Sequence, residues 1–272
     1  MRALNGIFRF YIHGSFHVAF ALLAFLFYSL ELTGQSVPSA YVFTLFFGAV
    51  AGYNAIKWGA EPWKRRPSWP APGKILMLSG ICGVIALIAA MDLSLQFWLL
   101  LGLGTALAAL YALPVFPGFR NLRSFGAIKV LIVALVWVHL TVWIPLWESK
   151  PLLNWDLQIE AIQRFLWVLL LMLPFEIRDM KADPAELRTW PRRWGEKTTQ
   201  RLSWVGALLL FLLTFWKDYF TGAEVLSKAL AAVLIVIAVG AAYRRKTAYL
   251  ASFWVEAIPI ICLAALLVLR WI

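Results

Sequence analysis

The sequence predicts an all-α, polytopic membrane bundle of about nine transmembrane helices, and three observations carry that prediction. Hydrophobic residues make up 62% of the 272 residues, charged residues only 14%, and the mean hydropathy is +0.77, well outside the range of water-soluble domains. The apolar residues fall into runs of helical, membrane-crossing length rather than period-two alternation, and open sheets cannot span lipid. The cations are also distributed by side. With the amino terminus inside, all but five of the 25 Lys and Arg (Lys150, Arg164, Lys217, Lys228 and Arg270) fall in inner segments.

The runs lie at about 10–30, 38–57, 74–91, 95–113, 126–147, 160–178, 201–217, 223–243 and 249–270. The first follows Arg2 and Arg9 but is long for a signal-peptide core, so it reads as a retained helix. A very short outer connection near Asp92 separates the third and fourth runs. Two inner loops, 58–73 and 179–200, are long, basic and punctuated by proline. They follow the second and sixth helices, which suggests one integral membrane domain over 1–272 made of related halves, roughly 1–125 and 126–272. The odd count sends the carboxyl terminus outside. The expected location is a bacterial inner membrane, with the amino terminus and the polar ends of these helices on the cytoplasmic side.

A formal charge of +11 would suggest nucleic acid for a soluble domain. Here the basic residues sit between apolar runs, so membrane topology and lipid headgroups account for them and nucleic acid is not an expected partner. Cys82 and Cys262 both lie inside apolar runs, where buried free thiols are expected. His13 and His17 sit four apart on the first helix and so share a face. They read as hydrogen-bonded or interfacial histidines. His139 falls inside the fifth run, and the sequence assigns it no role. Among 15 Trp, 19 Phe and 8 Tyr, most rings belong to interfacial belts or helix packing.

The most informative stretch is Glu176 to Asp183, EIRDMKAD, at the inner end of the sixth run. Glu176, Asp179 and Asp183 are spaced i, i+3, i+7 and occupy one helical face. Ionisable residues at a membrane are costly and tend to mark function, and an oxygen-rich cluster suits Mg²⁺ with a phosphorylated substrate. The second run ends with Asn54, Lys57 and Glu61 at the same spacing, following Tyr53. These two faces would form opposite walls of one cavity, with Lys57 standing where an acid is expected. A third inner stretch, LYALPVFPGFRNLRSFGAIK, brings Tyr111, Arg120, Arg123 and Lys129, whose cations suit a diphosphate.

With these motifs in place, the chain resembles the UbiA superfamily of intramembrane prenyltransferases over nearly its whole length. The resemblance is most specific at FEIRDMKADPAELRTWPRRWG, where Arg178, Asp179, Asp183, Thr189, Pro191 and Gly195 match the family's second aspartate-rich motif. The first motif, NDxxDxxxD, departs from the family. With Asn54 in the Asn position, Ala55, Trp58 and Pro62 replace the three aspartates. With Asn54 in the first Asp position, Lys57 and Glu61 replace the others.

The resemblance implies transfer of an isoprenyl group from an isoprenyl diphosphate to a lipophilic, possibly aromatic, acceptor. It also implies Mg²⁺, in fewer ions than is usual for the family. Asp179 and Asp183 would hold the metal with Glu176 assisting, and Lys57 would act as a fixed cation in place of the first metal. Asn54, Arg178, Lys129, Arg120 and Arg123 would meet the diphosphate, with Tyr111 beside the reacting group. Two other classes fit a degenerate first motif or a two-halves architecture: a non-catalytic lipid-binding or scaffold protein of this fold, and a transporter.

Overall fold

The computed structural model describes residues 2–59, 72–113, 126, 128–149, 153–180, 189–244 and 249–271. Ten α-helices order the described chain: α1 (Arg2–His13), α2 (Phe16–Thr33), α3 (Ser39–Asn54), α4 (Pro72–Ala90) and α5 (Leu95–Ala112), then α6 (Ile128–Val138), α7 (Trp155–Asp179), α8 (Trp190–Leu212), α9 (Gly222–Arg244) and α10 (Ile258–Trp271). Eight helices are long and apolar enough to cross a membrane, and Ile128–Trp143 is a ninth, shorter apolar helix. Each of the nine apolar runs in the sequence thus corresponds to a helix, and the chain is an integral membrane protein.

The first run does differ from expectation. It breaks at Gly14 and Ser15, where Ser15 takes a left-handed conformation (φ 61°). Arg2–His13 is therefore a separate helix, and His13 and His17 do not share a helical face. Polar and apolar residues alternate at helical period in α1, as in a helix lying along an interface, whereas α2 is apolar on all sides. The elbow is held from outside: Asn54 Nδ2 donates to Gly14 O at 3.0 Å, and Trp58 Nε1 donates to His13 O at 3.1 Å.

Helices α2 and α7 are the most buried, and the core forms where they meet. Trp167 of α7 packs edge-on to Phe25 and Tyr28 of α2, with ring centroids 5.0 and 5.6 Å apart. Around this pair, α2 packs on α3 and α10, while α7 packs on α6, α8 and α9. Close approach of α8 to α7 depends on Gly206, where an added Cβ would lie 2.9 Å from a Leu170 methyl. Helix α5 is the most exposed of the spans, as a helix facing lipid should be.

Three helices end or begin in π-type turns, at Ala55–Gly59, His139–Trp143 and Leu250–Val255. A π turn displaces the normal hydrogen-bond ladder and releases a carbonyl, often at a functional position. In the second of these turns Tyr41 Oη donates to the Leu140 carbonyl at 2.6 Å. The first and third flank the cavity described next.

Candidate active site

Between α2–α7 and the start of α10 lies a cavity of about 600 Å³. Helices α3 and α4 pack closely on each other through small residues, and Gly48, Gly52, Gly83 and Ala86 among these line the cavity. Its wall is almost wholly apolar. Among the described residues that line it, the polar exceptions are two threonines (Thr44, Thr105), Tyr53, Tyr111, the Trp98 and Trp137 indoles and Glu256, and Glu256 is the only charged one. Trp137 Nε1 donates to Tyr53 Oη at 2.7 Å, which fixes the phenol at the cavity wall.

Tyr53, Tyr111, Phe175 and Glu256 line the cavity from the last turns of α3, α5 and α7 and from just before α10. Lys57 and Arg178 flank this end, both exposed and both within electrostatic reach of the Glu256 carboxylate. Tyr11 of α1 also lies within its reach. The cavity therefore has an apolar body and a charged mouth of mixed sign.

The acidic face predicted from EIRDMKAD is partly described. Glu176 is buried and paired with Lys129 of α6 at 2.8 Å. Asp179 is half-exposed and receives two bonds from Arg178, Nε at 2.7 Å and Nη2 at 3.0 Å. Arg178 also lies over the Phe175 ring at 5.2 Å. Past Asp179 the helix is closed by Arg192, which donates to the Met180 carbonyl and so ties the start of α8 to the end of α7. Asp183, Arg120, Arg123 and Glu61 lie outside the described residues. Among the described residues no three His, Cys, Asp or Glu side chains converge in a way that would hold a metal ion.

The remaining residues singled out from the sequence are placed as follows. Asn54 is fully buried and its amide serves the α1–α2 elbow. Lys57 lies on the π turn after α3, 5.8 Å from the Trp58 ring centroid. Tyr111 lines the cavity near the end of α5. Thr189 occupies the N-cap position of α8 without a side-chain cap bond, Pro191 follows in the first turn, and Gly195 takes φ 74°, a left-handed value suited to glycine. The motif's Thr-x-Pro and Gly are thus a helix start followed by a break, and beyond it Thr199 Oγ1 bonds back to Gly195 O at 2.8 Å. His17 accepts from Tyr11 Oη (2.8 Å, at Nδ1) while Nε2 faces Phe253 O at 2.9 Å, linking α1, α2 and the turn before α10. His139 Nε2 meets Leu100 O at 2.8 Å and is a packing residue between α6 and α5.

Two features escaped the sequence reading. Glu256 was visible as a lone acid in an otherwise apolar run, a signal that usually marks function. Toward the start of α7, Glu160, Arg164, Lys217, Glu224 and Lys228 form a buried ion network that joins the beginnings of α7 and α9. Three of its members are cations that the topology assigned to the outer side.

The fold and this cavity define the class as a UbiA-like intramembrane bundle. No protein-family profile matches the sequence, and no curated protein matches it. Two solved structures match over nearly the whole chain. A UbiA homolog from Aeropyrum pernix K1 in its apo form is 17% identical, with a TM-score of 0.63, covering 96% of this chain and 98% of that one. A digeranylgeranylglyceryl phosphate synthase, a membrane enzyme, is 15% identical, with a TM-score of 0.58, covering 97% of this chain and 98% of that one.

Proposed function

We propose that the protein is a UbiA-like membrane prenyltransferase, which moves an isoprenyl group from an isoprenyl diphosphate to a lipophilic acceptor. The observation that carries this reading is the cavity: an apolar body of about 600 Å³ ending in a mouth flanked by Lys57 and Arg178. A hydrocarbon chain gains by leaving water for such a body, while a diphosphate requires cations at its mouth. Of the two solved neighbours, one is a synthase of digeranylgeranylglyceryl phosphate, whose name describes isoprenyl chains joined to a lipid headgroup.

In this reading Lys57 and Arg178 bind the diphosphate, with Lys129, Arg120 and Arg123 as further phosphate contacts and Asn54 holding the α3 end that carries Lys57. Mg²⁺ would neutralise charge on the leaving diphosphate. Asp179 fits that role: it is half-exposed, and its pair with Arg178 is a surface pair of small net strength, exchangeable for a metal that also recruits Asp183. Glu176 fits it less well, because Lys129 holds it in a buried pair. We place the site on the cytoplasmic side of a bacterial inner membrane, as the cation distribution indicates.

The second reading is a lipid-binding protein of this fold without transfer activity. What favours it is that both described acids of the motif are already engaged by cations. Binding of a geranylgeranyl diphosphate analogue to purified protein, with and without Mg²⁺ and beside Asp179→Asn/Asp183→Asn, separates the two. Binding that requires both Mg²⁺ and the aspartates supports the enzyme. Metal-independent binding that requires Lys57 supports a rewired diphosphate site, and no binding by folded protein rejects a diphosphate ligand.

A further inference from the structure

Glu256 is an acid with no place in the aspartate motif, and its position is unusual. It sits between the π turn Leu250–Val255 and the first turn of α10, Ile258–Trp271, whose positive amide end favours an anion. It lines the cavity and is partly accessible, while the described lining residues of α2 and α4 are all apolar and the Trp137 indole is the polar one from α6. The rings close by are Tyr53, Tyr111 and Phe175, contributed by three different helices. One further residue holds this turn in place by two contacts. His17 meets the Phe253 carbonyl at 2.9 Å, and its ring stacks on that of Phe253 with centroids 4.8 Å apart.

We propose that Glu256 is a catalytic residue that faces the reacting carbon of the isoprenyl group. This rests on the prenyltransferase reading above. With the diphosphate held by Lys57 and Arg178 and the hydrocarbon in the apolar body, the first carbon of the chain lies at the boundary between them. Glu256 and the Tyr53 and Tyr111 phenols are polar groups of the cavity wall, and Tyr53 lies within electrostatic reach of both Glu256 and Tyr111. When the carbon–oxygen bond to the diphosphate breaks, its electron pair leaves with the diphosphate and positive charge spreads over the allylic carbons. A carboxylate in a site of low dielectric stabilises that charge where it develops, and the tyrosine faces add cation–π attraction. The acceptor, a neutral lipophile bearing O–H or an electron-rich aromatic C–H, then donates an electron pair to form the new bond. The proton it loses passes to Glu256. The site therefore selects acceptors that shed a proton rather than preformed anions, which a second negative charge beside Glu256 would repel.

An ammonium analogue of the allylic cation, a tertiary amine carrying a geranylgeranyl-length chain, tests this without knowledge of the acceptor. It is titrated together with inorganic diphosphate and Mg²⁺ against the wild-type protein and Glu256→Gln. Geranylgeranyl thiodiphosphate, which carries no cationic carbon, is titrated in parallel. The expected result is that Glu256→Gln binds the thiodiphosphate within about twofold of wild type and the ammonium at least about tenfold more weakly. Equal ammonium affinity in the two proteins overturns the assignment while leaving the prenyltransferase reading intact. Failure of the wild type to bind the thiodiphosphate overturns both. If Glu256→Gln does not fold, the wild type alone decides. It should prefer the ammonium over its uncharged hydrocarbon isostere by at least about tenfold, and no preference overturns the proposal.

Discussion

The two ends of the bundle both gather charge, but they do so in opposite ways. At the cavity mouth, Lys57 and Arg178 are exposed, Asp179 is half-exposed and Glu256 keeps surface toward the cavity. At the other end, Glu160, Arg164, Lys217, Glu224 and Lys228 are all at most 8% exposed. There Glu160 Oε2 accepts from Lys228 at 2.6 Å and Lys217 at 2.9 Å, while Oε1 meets Arg164 at 3.1 Å. Glu224 receives Lys217 at 2.6 Å and Lys228 at 3.1 Å. Arg164 also donates to Phe25 O, Thr141 and Ser29 and lies 4.2 Å over the Phe25 ring, joining α7 to α2 and to the π turn after α6. Gln163 extends the network, accepting from Lys228 and donating to Leu210 O and Thr214. Charge density alone therefore does not mark a site. Charges that are saturated by one another build the scaffold, and charges that border open apolar space are those available to a ligand.

The strongest way to break this contrast is Glu160→Leu. It leaves Arg164, Lys217 and Lys228 buried around a single carboxylate, and breaking a buried pair typically costs about 3–5 kcal/mol. The expected outcome is a large fall in Tm in detergent, with diphosphate-analogue binding unchanged in the protein that remains folded. Unchanged Tm with lost binding would make the network a second functional site. The same network sets a pH limit. Burial lowers the Lys217 pKa, but pairing with Glu160 and Glu224 outweighs it and the net shift is upward. With the folded value above the ordinary one, this contribution is complete below about pH 10.4 and is lost as pH rises through the raised value. Comparing Tm against pH for the wild type and Lys217→Met isolates this contribution, which should fade only above that range.

This network also shows why the sequence reading was uneven. The helices were legible because each run is apolar by itself, whereas of the acidic face expected from EIRDMKAD only Glu176 and Asp179 lie among the described residues. Arg164 and Lys228 lie 64 positions apart and meet only through α7–α9 packing, so the sequence offered them as unrelated outer-side cations. Glu256 had a local signal, a lone acid in an apolar run, but its link to Lys57 spans the whole chain. The break between His13 and His17 was missed because no proline marks it. Ser15 is left-handed there because Asn54 and Trp58 hold the elbow from outside.

Lys129→Met probes the boundary between the two kinds of charge. Glu176 is buried like the scaffold acids but sits on the helix that carries the candidate site. Removing its partner should cost about 2 kcal/mol of stability, the range for a hydrogen bond between charged groups. Adding Glu176→Gln should recover most of that loss, since no buried charge is then left alone. A Tm series over the two single variants and the double variant measures the coupling. Loss of binding in the double variant at restored Tm would assign the pair to the site rather than to the scaffold.

Smaller still is Asn154→Ala. Asn154 caps α7 by accepting from the Leu157 amide at 3.1 Å, and loss of such a cap costs about 1 kcal/mol. It lies at the scaffold end, so it should lower Tm slightly and leave ligand binding alone.

The smallest effect on stability belongs to the variant expected to matter most for binding. Asp179 and Arg178 form an exposed pair, side chains 41% and 44% accessible, and such pairs contribute about 0–1 kcal/mol. Asp179→Asn should therefore leave the stability within about 1 kcal/mol of wild type and still abolish Mg²⁺-dependent binding of the diphosphate analogue. Here the scaffold end gives the control, because Glu160→Leu should do the reverse. If Asp179→Asn instead lowers Tm sharply, the acid is structural, and the motif would have kept its carboxylates for packing rather than for metal. If it leaves both Tm and binding untouched, the diphosphate is held by cations alone. Lys57→Ala then becomes the decisive variant, because Lys57 and Arg178 would be the groups left at the mouth to neutralise it.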